Sequence, residues 1–397
     1  MNGDLRAALT LQPDHILYRA QRALLGAGVL GLIVAGAGGL VDPDQFFRSY
    51  LIAYLFFIGI ALGALGIVSL NHVTGGRWGV VVRRVCESAM LTLPLLLVLF
   101  VPLLLGLTHL YEWARPEAVA HDAVLQHKHV YLNTPFFIVR LVLYFAVWMV
   151  VARYLVRWSH EQDATGDPEV VRRLQFLGRG ALLLYSLTMT FASVDWAMSL
   201  EPHWSSTIYG ILIIGGQVLS AFVFVIPVLA LVVDREPFTT LITPEQFHDL
   251  GKLMLAFVML YAYFAFSQFL IIWSGNLPEE TPWYLARLNG GWQYIAVGLV
   301  LFQFALPFAI LLSRSLKRNA RRLAVVALLV LGARLIDLFW LIKPSFSPQR
   351  FALHWMDVAA VLGVGGVWLS FFLWRLRDQP LLPLHDPALP LEAEVRA

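Results

Sequence analysis

The stretch LIAYLFFIGIALGALGIVSL, residues 51–70, contains no charged side chain. A helix of about 20 apolar residues crosses the hydrocarbon core of a bilayer, because each residue adds about 1.5 Å and that core is about 30 Å thick. A surface helix of a soluble domain would instead carry a polar stripe. The stretch therefore predicts a transmembrane helix.

The composition extends this prediction to the whole chain. Hydrophobic residues make up 59% of the 397 residues and charged residues only 14%, whereas soluble domains have about 25% charged residues. Mean hydropathy is +0.70. The period-two alternation typical of membrane β-strands does not occur. We therefore predict an all-α integral membrane protein.

Apolar runs of roughly 17 to 25 residues predict ten spans. The first run ends at Asp42 and Pro43 without a small-residue cleavage pattern, so we expect an uncleaved span rather than a signal peptide. The eight spans after the first can be divided into two groups of four. The predicted spans are 23–41, 46–70, 85–108, 134–155, 176–199, 207–233, 253–274, 292–313, 321–342 and 355–374.

The distribution of lysine and arginine predicts the orientation, because cytoplasmic loops retain these residues. With a cytoplasmic N-terminus, the inner segments hold 21 of the 29 lysines and arginines and the outer segments hold six. Both termini are therefore expected in the cytoplasm. We divide the chain into a cytoplasmic segment (1–22), a ten-span membrane domain (23–375) and a proline-rich cytoplasmic tail (376–397), extended or disordered unless a neighbour holds it.

Several polar side chains are predicted within the outer half of the membrane, where an ionisable group costs a few kcal/mol unless it is paired or hydrated. Arg334 and Asp337 are spaced i, i+3 and can pair on one helix face. Arg140 and Asp195 are candidates for a second pair, across spans four and five. The polar side chains at this depth are Arg140, Asp195, Gln217, Gln268, Arg334 and Asp337.

These residues allow two interpretations. They could be structural ties between helices. Alternatively, they could form a polar pocket open to the outer side, in which a carboxylate accepts a proton from a ligand and passes it to water through Glu201 and His203.

A smaller set near the predicted cytoplasmic face also allows two interpretations. Glu87 lies at the start of span three, and Asp249 and Lys252 lie at the start of span seven. Acids in a first helical turn complement the helix dipole, so helix capping is the simpler interpretation. The alternative is proton uptake from the cytoplasm, which would need a connection through Gln303, tyrosines such as Tyr261, and water.

The sequence also limits the cofactors that the chain can ligate. Its single cysteine, Cys86, cannot hold an iron–sulfur cluster or a covalently attached haem. The eleven histidines lie in loops or at span ends, so no pair is placed to ligate haem b. His127 and His129 alone are too few for a metal site. We expect no metal, no nucleic-acid partner, and redox centres only in partner subunits.

Three blocks of sequence carry a resemblance to a known family: SVDWAMSLEPHWSSTIYG (193–210), FHDLGKLMLAFVMLYAYFAFSQFLIIWSGNLPEETPWYLAR (247–287), and ARLIDLFWLIKPSF (333–346) with HWMDVA (354–359). The chain resembles the NrfD/PsrC family of quinone-interacting membrane subunits. Within it, the chain is most similar to the second, shorter NrfD-like subunit (ActF type) of bacterial alternative complex III, a quinol:cytochrome c oxidoreductase. The resemblance extends from the first span to the tenth.

The resemblance implies a fold and a set of partners. Spans two to five and six to nine would form two four-helix bundles in the bacterial cytoplasmic membrane. The partners would be membrane lipid, a second NrfD-like subunit, a periplasmic iron–sulfur subunit and multihaem cytochrome c subunits, with haem c and the clusters held by those subunits. Menaquinol or another quinol would be oxidised near the outer face, at the depth of Arg140, Asp195, Arg334 and Asp337.

Three functions follow as hypotheses. The chain supports quinol oxidation or proton transfer in such a complex, or it is a catalytically silent scaffold that anchors the periplasmic partners. The third, from another class, is a secondary transporter or channel, which would have glycine- or proline-broken spans at corresponding positions of its two halves. The prolines at 94, 102, 227 and 307 do not correspond in that way.

Overall fold

The computed structural model describes residues 7–377 and 379–386. Residues 1–6, Asp378 and 387–397, and with them parts of the predicted N-terminal segment and tail, lie outside the described residues. Within these ranges the chain is helical, with one isolated antiparallel bridge between Thr10 and Pro380.

The long helices are labelled α1 to α11 in chain order. They are α1 (Ile16–Gly39), α2 (Pro43–Thr74), α3 (Arg77–Met90), α4 (Leu93–Leu105), α5 (Thr134–Thr165), α6 (Pro168–Trp196), α7 (Tyr209–Val232), α8 (Pro244–Gly275), α9 (Trp292–Leu311), α10 (Ala320–Ile342) and α11 (Trp355–Arg377). Short helices occupy Leu107–Leu110, Glu112–Ala114, Pro116–His121, Ala123–Lys128, Met198–Leu200, Phe238–Leu241, Thr281–Arg287, Arg314–Lys317 and Lys343–Ser345.

Nine of these helices are long and apolar enough to cross a membrane, and α3 with α4 makes a tenth span if the bent pair is counted as one, within the described ranges. The helix axis bends by 41° between α3 and α4. Pro94 lies in the first turn of α4 and has no backbone N–H to continue the hydrogen-bond ladder, which explains the break. The span predicted at 85–108 corresponds to this bent pair, but it begins earlier, at Arg77, and is broken after Met90.

Several helices start earlier or end later than the predicted spans, because polar caps rather than apolar runs set their ends. Asp167 caps α6 by accepting from the Glu169 N–H, so α6 begins before the predicted 176. Thr243 and Gln246 form a capping box that begins α8 before the predicted 253. At the two ends of the chain, α1 begins at Ile16, before the predicted 23, and α11 continues to Arg377, beyond the predicted 374.

Helices α2 and α7 lie at the centre of the molecule. α2 packs against α3, α4, α6, α7 and α11, and α7 packs against α2, α6, α8 and α10. In the most apolar part of α2, 94% of the residues are buried, whereas the corresponding share is 22% in α8 and 17% in α9. The central pair therefore forms the core, and α8 and α9 expose apolar side chains, as helices in contact with lipid do.

Glycines let α1 and α11 approach closely. A Cβ atom on Gly28 would lie 2.4 Å from the backbone of Val367, and one on Gly31 would lie 2.7 Å from that of Gly363. Gly366 lies against Gly28 from the opposite side. Small residues permit such contacts between membrane helices. We call these four glycines the glycine seam.

The helices end at two faces, which we name by their connecting segments. The long-loop end comprises segments 40–42, 106–133, 197–208, 276–291 and 343–354, and the termini end comprises 7–15, 75–76, 166–167, 233–243, 312–319 and 379–386. Hydrogen bonds hold each face together. At the long-loop end Lys128 donates to the Pro202 carbonyl at 2.6 Å, and at the termini end the Leu381 N–H donates to the Leu9 carbonyl at 2.8 Å.

Candidate functional site

The predicted pair of Arg140 and Asp195 forms a two-point ion pair between α5 and α6. Arg140 Nε lies 2.9 Å from Asp195 Oδ2, and Arg140 Nη2 lies 2.8 Å from Asp195 Oδ1. The Tyr144 hydroxyl donates to Asp195 Oδ2 at 2.9 Å. Asp195 is 1% exposed and Arg140 is 6% exposed. We call Arg140, Tyr144 and Asp195 the Asp195 cluster.

Further contacts complete the surroundings of Arg140. Its Nη1 donates to the Tyr131 carbonyl at 2.9 Å, and its guanidinium carbon lies 3.8 Å from the centre of the Tyr131 ring and 4.4 Å from that of Phe136. Burial and the negative charge of Asp195 raise the pKa of Tyr131 to about 12. The buried guanidinium and carboxylate are thus each held by several partners, which offsets much of their desolvation cost.

The second predicted pair lies between α7, α8 and α10. Arg334 donates to Asp337, as the i, i+3 spacing predicts, and the Tyr261 hydroxyl of α8 donates to the same oxygen, Asp337 Oδ2. Arg334 Nε reaches Ser220 Oγ of α7 at 3.4 Å, and its guanidinium lies over the Tyr261 ring. We call Arg334, Asp337, Tyr261 and Ser220 the Asp337 cluster.

A small cavity lies beside the Asp337 cluster, among α2, α6, α7 and α10. Arg334, Gln217, Ser220 and Ser193 contribute its polar lining. Gln217 accepts a hydrogen bond from the Tyr185 hydroxyl at 2.8 Å. The cavity volume is about 30 Å³, which is room for one or two water molecules. The structure thus brings Gln217 to the Asp337 cluster through a space that suits water and not a quinone ring.

Two further glutamines are buried with polar atoms that lack a hydrogen-bond partner among the described residues. Gln268 of α8 is 1% exposed, and neither its amide oxygen nor its amide nitrogen has an aligned partner, although Tyr284 lies near it. Gln303 lies in a π-helical segment of α9, Val300–Ala305, and its Oε1 is also unpartnered. Such atoms cost about 1 to 3 kcal/mol each unless water or a ligand satisfies them, and π-bulges are frequent at functional sites.

The relay predicted from Asp195 through Glu201 and His203 is not assembled in the structure. Glu201 instead accepts from Arg287 Nη2 at 2.8 Å and from Ser345 Oγ at 2.6 Å. His203 is exposed and lies 2.8 Å from Asp122. Backbone N–H donation from Leu125, together with the neighbouring His203, lowers the pKa of Asp122. Glu201 and His203 therefore belong to contacts between loops.

Arg287, which the sequence places among ordinary loop arginines, is fully buried. It donates to the Trp283 and Leu341 carbonyls at 2.9 and 2.6 Å, and it lies 3.6 Å from the Trp283 ring centre. The Trp204 indole stacks on the indole of Trp283 at a centroid distance of 4.8 Å. The aromatic residues around Arg287 in TPWYLAR were the only sequence signal for this position.

A second buried pair at the long-loop end was also missed. Lys343 Nζ lies 3.0 Å and 3.2 Å from the two carboxylate oxygens of Asp357, and Ser49 donates to Asp357 Oδ1 at 2.6 Å. These residues join the end of α10 to the starts of α11 and α2. Both lie at span ends, where sequence alone does not distinguish a buried charge from a solvated one.

The residues predicted near the cytoplasmic face do not form one site. Glu87 is fully buried and accepts from Arg84 at 2.6 Å, while Arg84 also donates to Asp163 of α5. Glu87 lies in the third turn of α3, so the prediction that it caps a first turn is wrong. Asp249 and Lys252 form a separate pair at 3.0 Å, with both side chains about half exposed. Asp249 lies in the second turn of α8, so its first-turn assignment is also wrong.

The described part of the predicted tail, 379–386, is held by the chain itself. Asp163 Oδ1 accepts from the Leu384 N–H at 3.0 Å, Gln162 donates to the His385 carbonyl at 3.2 Å, and Asp386 pairs with Arg83. This segment covers the buried Arg84 group at the termini end. The tail was predicted to be extended or disordered unless a neighbour holds it, and for residues 379–386 that neighbour is the chain's own α3 and α5.

Comparisons with known proteins give no further identification. No protein-family model matches the chain, and no curated protein matches it.

Proposed function

We propose that this chain is a multi-pass subunit of a quinol:electron-acceptor oxidoreductase complex in the bacterial cytoplasmic membrane. In this proposal the termini end faces the cytoplasm, the long-loop end faces the periplasm, and α2–α6 and α7–α10 act as two helical bundles. The concentration of arginine at the termini end and the sequence blocks described above support it. The haem, the clusters, the second NrfD-like subunit and the other partners belong to this proposal.

The observation that carries the proposal is the pair of buried Arg–Asp–Tyr clusters in the half of the membrane nearer the long-loop end. Buried ionisable residues in membrane helices mark proton relays and ligand sites. A carboxylate that accepts from a phenol can hold and pass a proton. The water-sized cavity lies beside Arg334 and Gln217, next to the Asp337 cluster, and has room for water that would continue such a path. Because the cavity is about 30 Å³, we assign this chain proton transfer that supports quinol oxidation, and place the quinol ring outside that cavity.

Asp195→Asn and Asp337→Asn in the assembled complex test this function. An amide keeps much of the local hydrogen bonding but cannot take up a proton. We expect quinol turnover to fall about 100-fold, a typical loss for a general acid or base, with proton release falling in parallel. Both are measured in proteoliposomes with a pH-sensitive dye.

The control is Asp249→Asn, which changes an exposed carboxylate of the same kind and should leave both rates unchanged. Unchanged turnover and proton release in both test variants would leave the clusters a structural role only.

A silent scaffold is the second candidate, because the long-loop end is tied together by Arg287 with Glu201 and Lys343 with Asp357. A face fixed in this way suits a docked periplasmic subunit. In that case the Asp195 and Asp337 variants would assemble and turn over normally, whereas Arg287→Met would release the partner subunits.

A transporter or channel is less well supported by the helix geometry. The α3–α4 break and the π-helical segment of α9 are the interruptions that such a mechanism would use. In two groups of four spans, they fall at the second place of the first group and the third place of the second. Broken helices of transporters occupy corresponding places of the repeats.

A further inference from the structure

A second cavity, of about 300 Å³, opens at the termini end between the last turns of α5 and α11. His160 and Ala164 line it from α5, Trp374 and Arg375 line it from α11, and Gln379 closes one side. This volume is at the lower end of the range of small-molecule sites. It is about ten times that of the cavity beside Arg334, and none of the residues proposed for proton transfer lines it.

Arg375 gives this cavity an available cation. Among the described residues, its guanidinium has no hydrogen bond and no ion pair, and its Nε is buried without a partner. Its guanidinium carbon lies 5.6 Å from the ring centre of Trp374. The neighbouring arginines Arg83 and Arg84 are paired with carboxylates. A guanidinium in this state favours an oxyanion, and phosphate matches its donor geometry.

Among the described residues that line the cavity, Asp163 is the carboxylate, and it does not compete for Arg375. Asp163 Oδ2 is bonded to Arg84, and Asp163 Oδ1 accepts from the Leu384 N–H at 3.0 Å. Both oxygens are therefore occupied, one by Arg84 of α3 and the other by a backbone N–H of the segment 379–386. The Gln379 amide is also engaged, with Ser88 and with the Arg84 carbonyl at 3.4 Å. Among the described residues that line the cavity, Arg375 is therefore the cation that has neither a hydrogen bond nor an ion pair.

The position of the cavity indicates where the phosphate comes from. Trp374 is 39% exposed in the last turn of α11, and tryptophan at a span end lies at the level of lipid headgroups. Val150 and Tyr154 of α5, two to four turns from the cavity toward the membrane centre, are 53% and 43% exposed, so this part of α5 has apolar surface in contact with lipid. Basic pockets between membrane helices at this level bind anionic headgroups.

We propose that this cavity binds the headgroup phosphate of an anionic phospholipid, with Arg375 as the cation that holds it. The site depends on no electron-transfer partner and is independent of the proposed function. It would fix a lipid molecule between α5, α11 and the segment 379–386.

The test uses the purified full-length chain in detergent, with phosphatidylglycerol, phosphatidylcholine or inorganic phosphate added. Native mass spectrometry measures the lipid retained, and the thermal unfolding midpoint measures stabilisation. We expect the unchanged protein to retain phosphatidylglycerol, and Arg375→Gln to bind it at least tenfold more weakly. Arg172→Gln removes an exposed arginine paired with Glu169 and should bind as the unchanged protein does.

Ala164→Phe provides a second, independent variant, because it fills the cavity and leaves Arg375 in place. We expect it to lose phosphatidylglycerol as Arg375→Gln does, with unchanged helix content by circular dichroism. Equal retention in Arg375→Gln and the unchanged protein would overturn the site. Phosphatidylcholine retained as well as phosphatidylglycerol would overturn the requirement for an anionic lipid, and equal stabilisation by inorganic phosphate would overturn the assignment to a lipid.

Discussion

Each buried charge of the membrane interior described above has a specific set of partners. Asp195 receives both a guanidinium and a phenol, and Asp337 receives the same two kinds of group. The repetition of this arrangement in two places follows from the cost of an isolated ion in hydrocarbon, which a single partner only partly offsets. Charge and hydrogen bonding together make these positions tolerable.

The Arg140–Asp195 pair predicts a non-additive mutant cycle. Arg140→Met or Asp195→Leu alone leaves one buried charge without its partner, so each should cost about 3 to 5 kcal/mol of unfolding free energy. The double variant removes both charges and should cost less than either single change. Unfolding in mixed micelles, followed by circular dichroism, gives these values.

The exposed pair of Asp249 and Lys252 supplies the control cycle, in which we expect almost no coupling. Additive losses at Arg140 and Asp195 would mean that the two side chains do not depend on each other in the membrane.

The sequence predicted the two intramembrane pairs because their burial demanded partners, and the structure brings both together. It did not predict Arg287 or Lys343. Whether a charged residue near a span end turns toward water or toward another loop depends on how the loops fold over one another, and no local pattern specifies this. The positions of Glu201 and His203 were missed for the same reason.

At the level of the helix, apolar runs located the spans but not their ends. The ends of α6 and α8 depend on Asp167, Thr243 and Gln246, whose side chains satisfy first-turn N–H groups outside the apolar run. Such caps are readable in sequence once the helix is allowed to continue beyond the hydrocarbon. The break between α3 and α4 was similarly readable from Pro94, although its angle was not.

The glycine seam gives a matched pair of substitutions on one helix. A methyl group on Gly28 would lie 2.4 Å from the Val367 backbone, whereas one on Gly26 meets nothing within 4 Å. We therefore expect Gly28→Ala to destabilise the protein by about 1 to 3 kcal/mol, the usual cost of overpacking. Gly26→Ala should be neutral or slightly stabilising, since alanine favours helix.

Thermal unfolding of both variants in one detergent provides the measurement. Equal midpoints for Gly28→Ala and Gly26→Ala would show that α1 and α11 can separate without loss.

At the level of the whole molecule, the sequence predicted a multi-pass helical protein but not which helices meet. The burial of α2 on all sides, and its contact with α7 and α11, depend on long-range packing. Hydropathy alone does not distinguish the central α2 from the peripheral α8, because lipid and a protein core are both apolar. The contacts of 379–386 with α3 and α5 likewise lie beyond any local pattern.

The orientation of the molecule can be tested by cysteine labelling, since Cys86 is fully buried. We expect Val130→Cys, at a position 86% exposed at the long-loop end, to react with a membrane-impermeant maleimide in intact cells. Thr239→Cys, exposed at the termini end, should react only after permeabilisation.

The unsubstituted protein should stay unlabelled in both conditions and serves as the background. The reverse pattern for the two cysteines would place the termini end outside the cell.

The glycine seam also bears on how the protein is made. α1 contacts α11 far more extensively than it contacts α2, and the most apolar part of α1 is only 17% buried even in the finished fold. During translation, α1 is therefore inserted long before α11 exists. Its seam glycines contact acyl chains while the ribosome synthesises every intervening helix. Release of α11 from the insertion machinery then allows the α1–α11 contact to form. A chain that terminates before α11 would be inserted but could not form this contact.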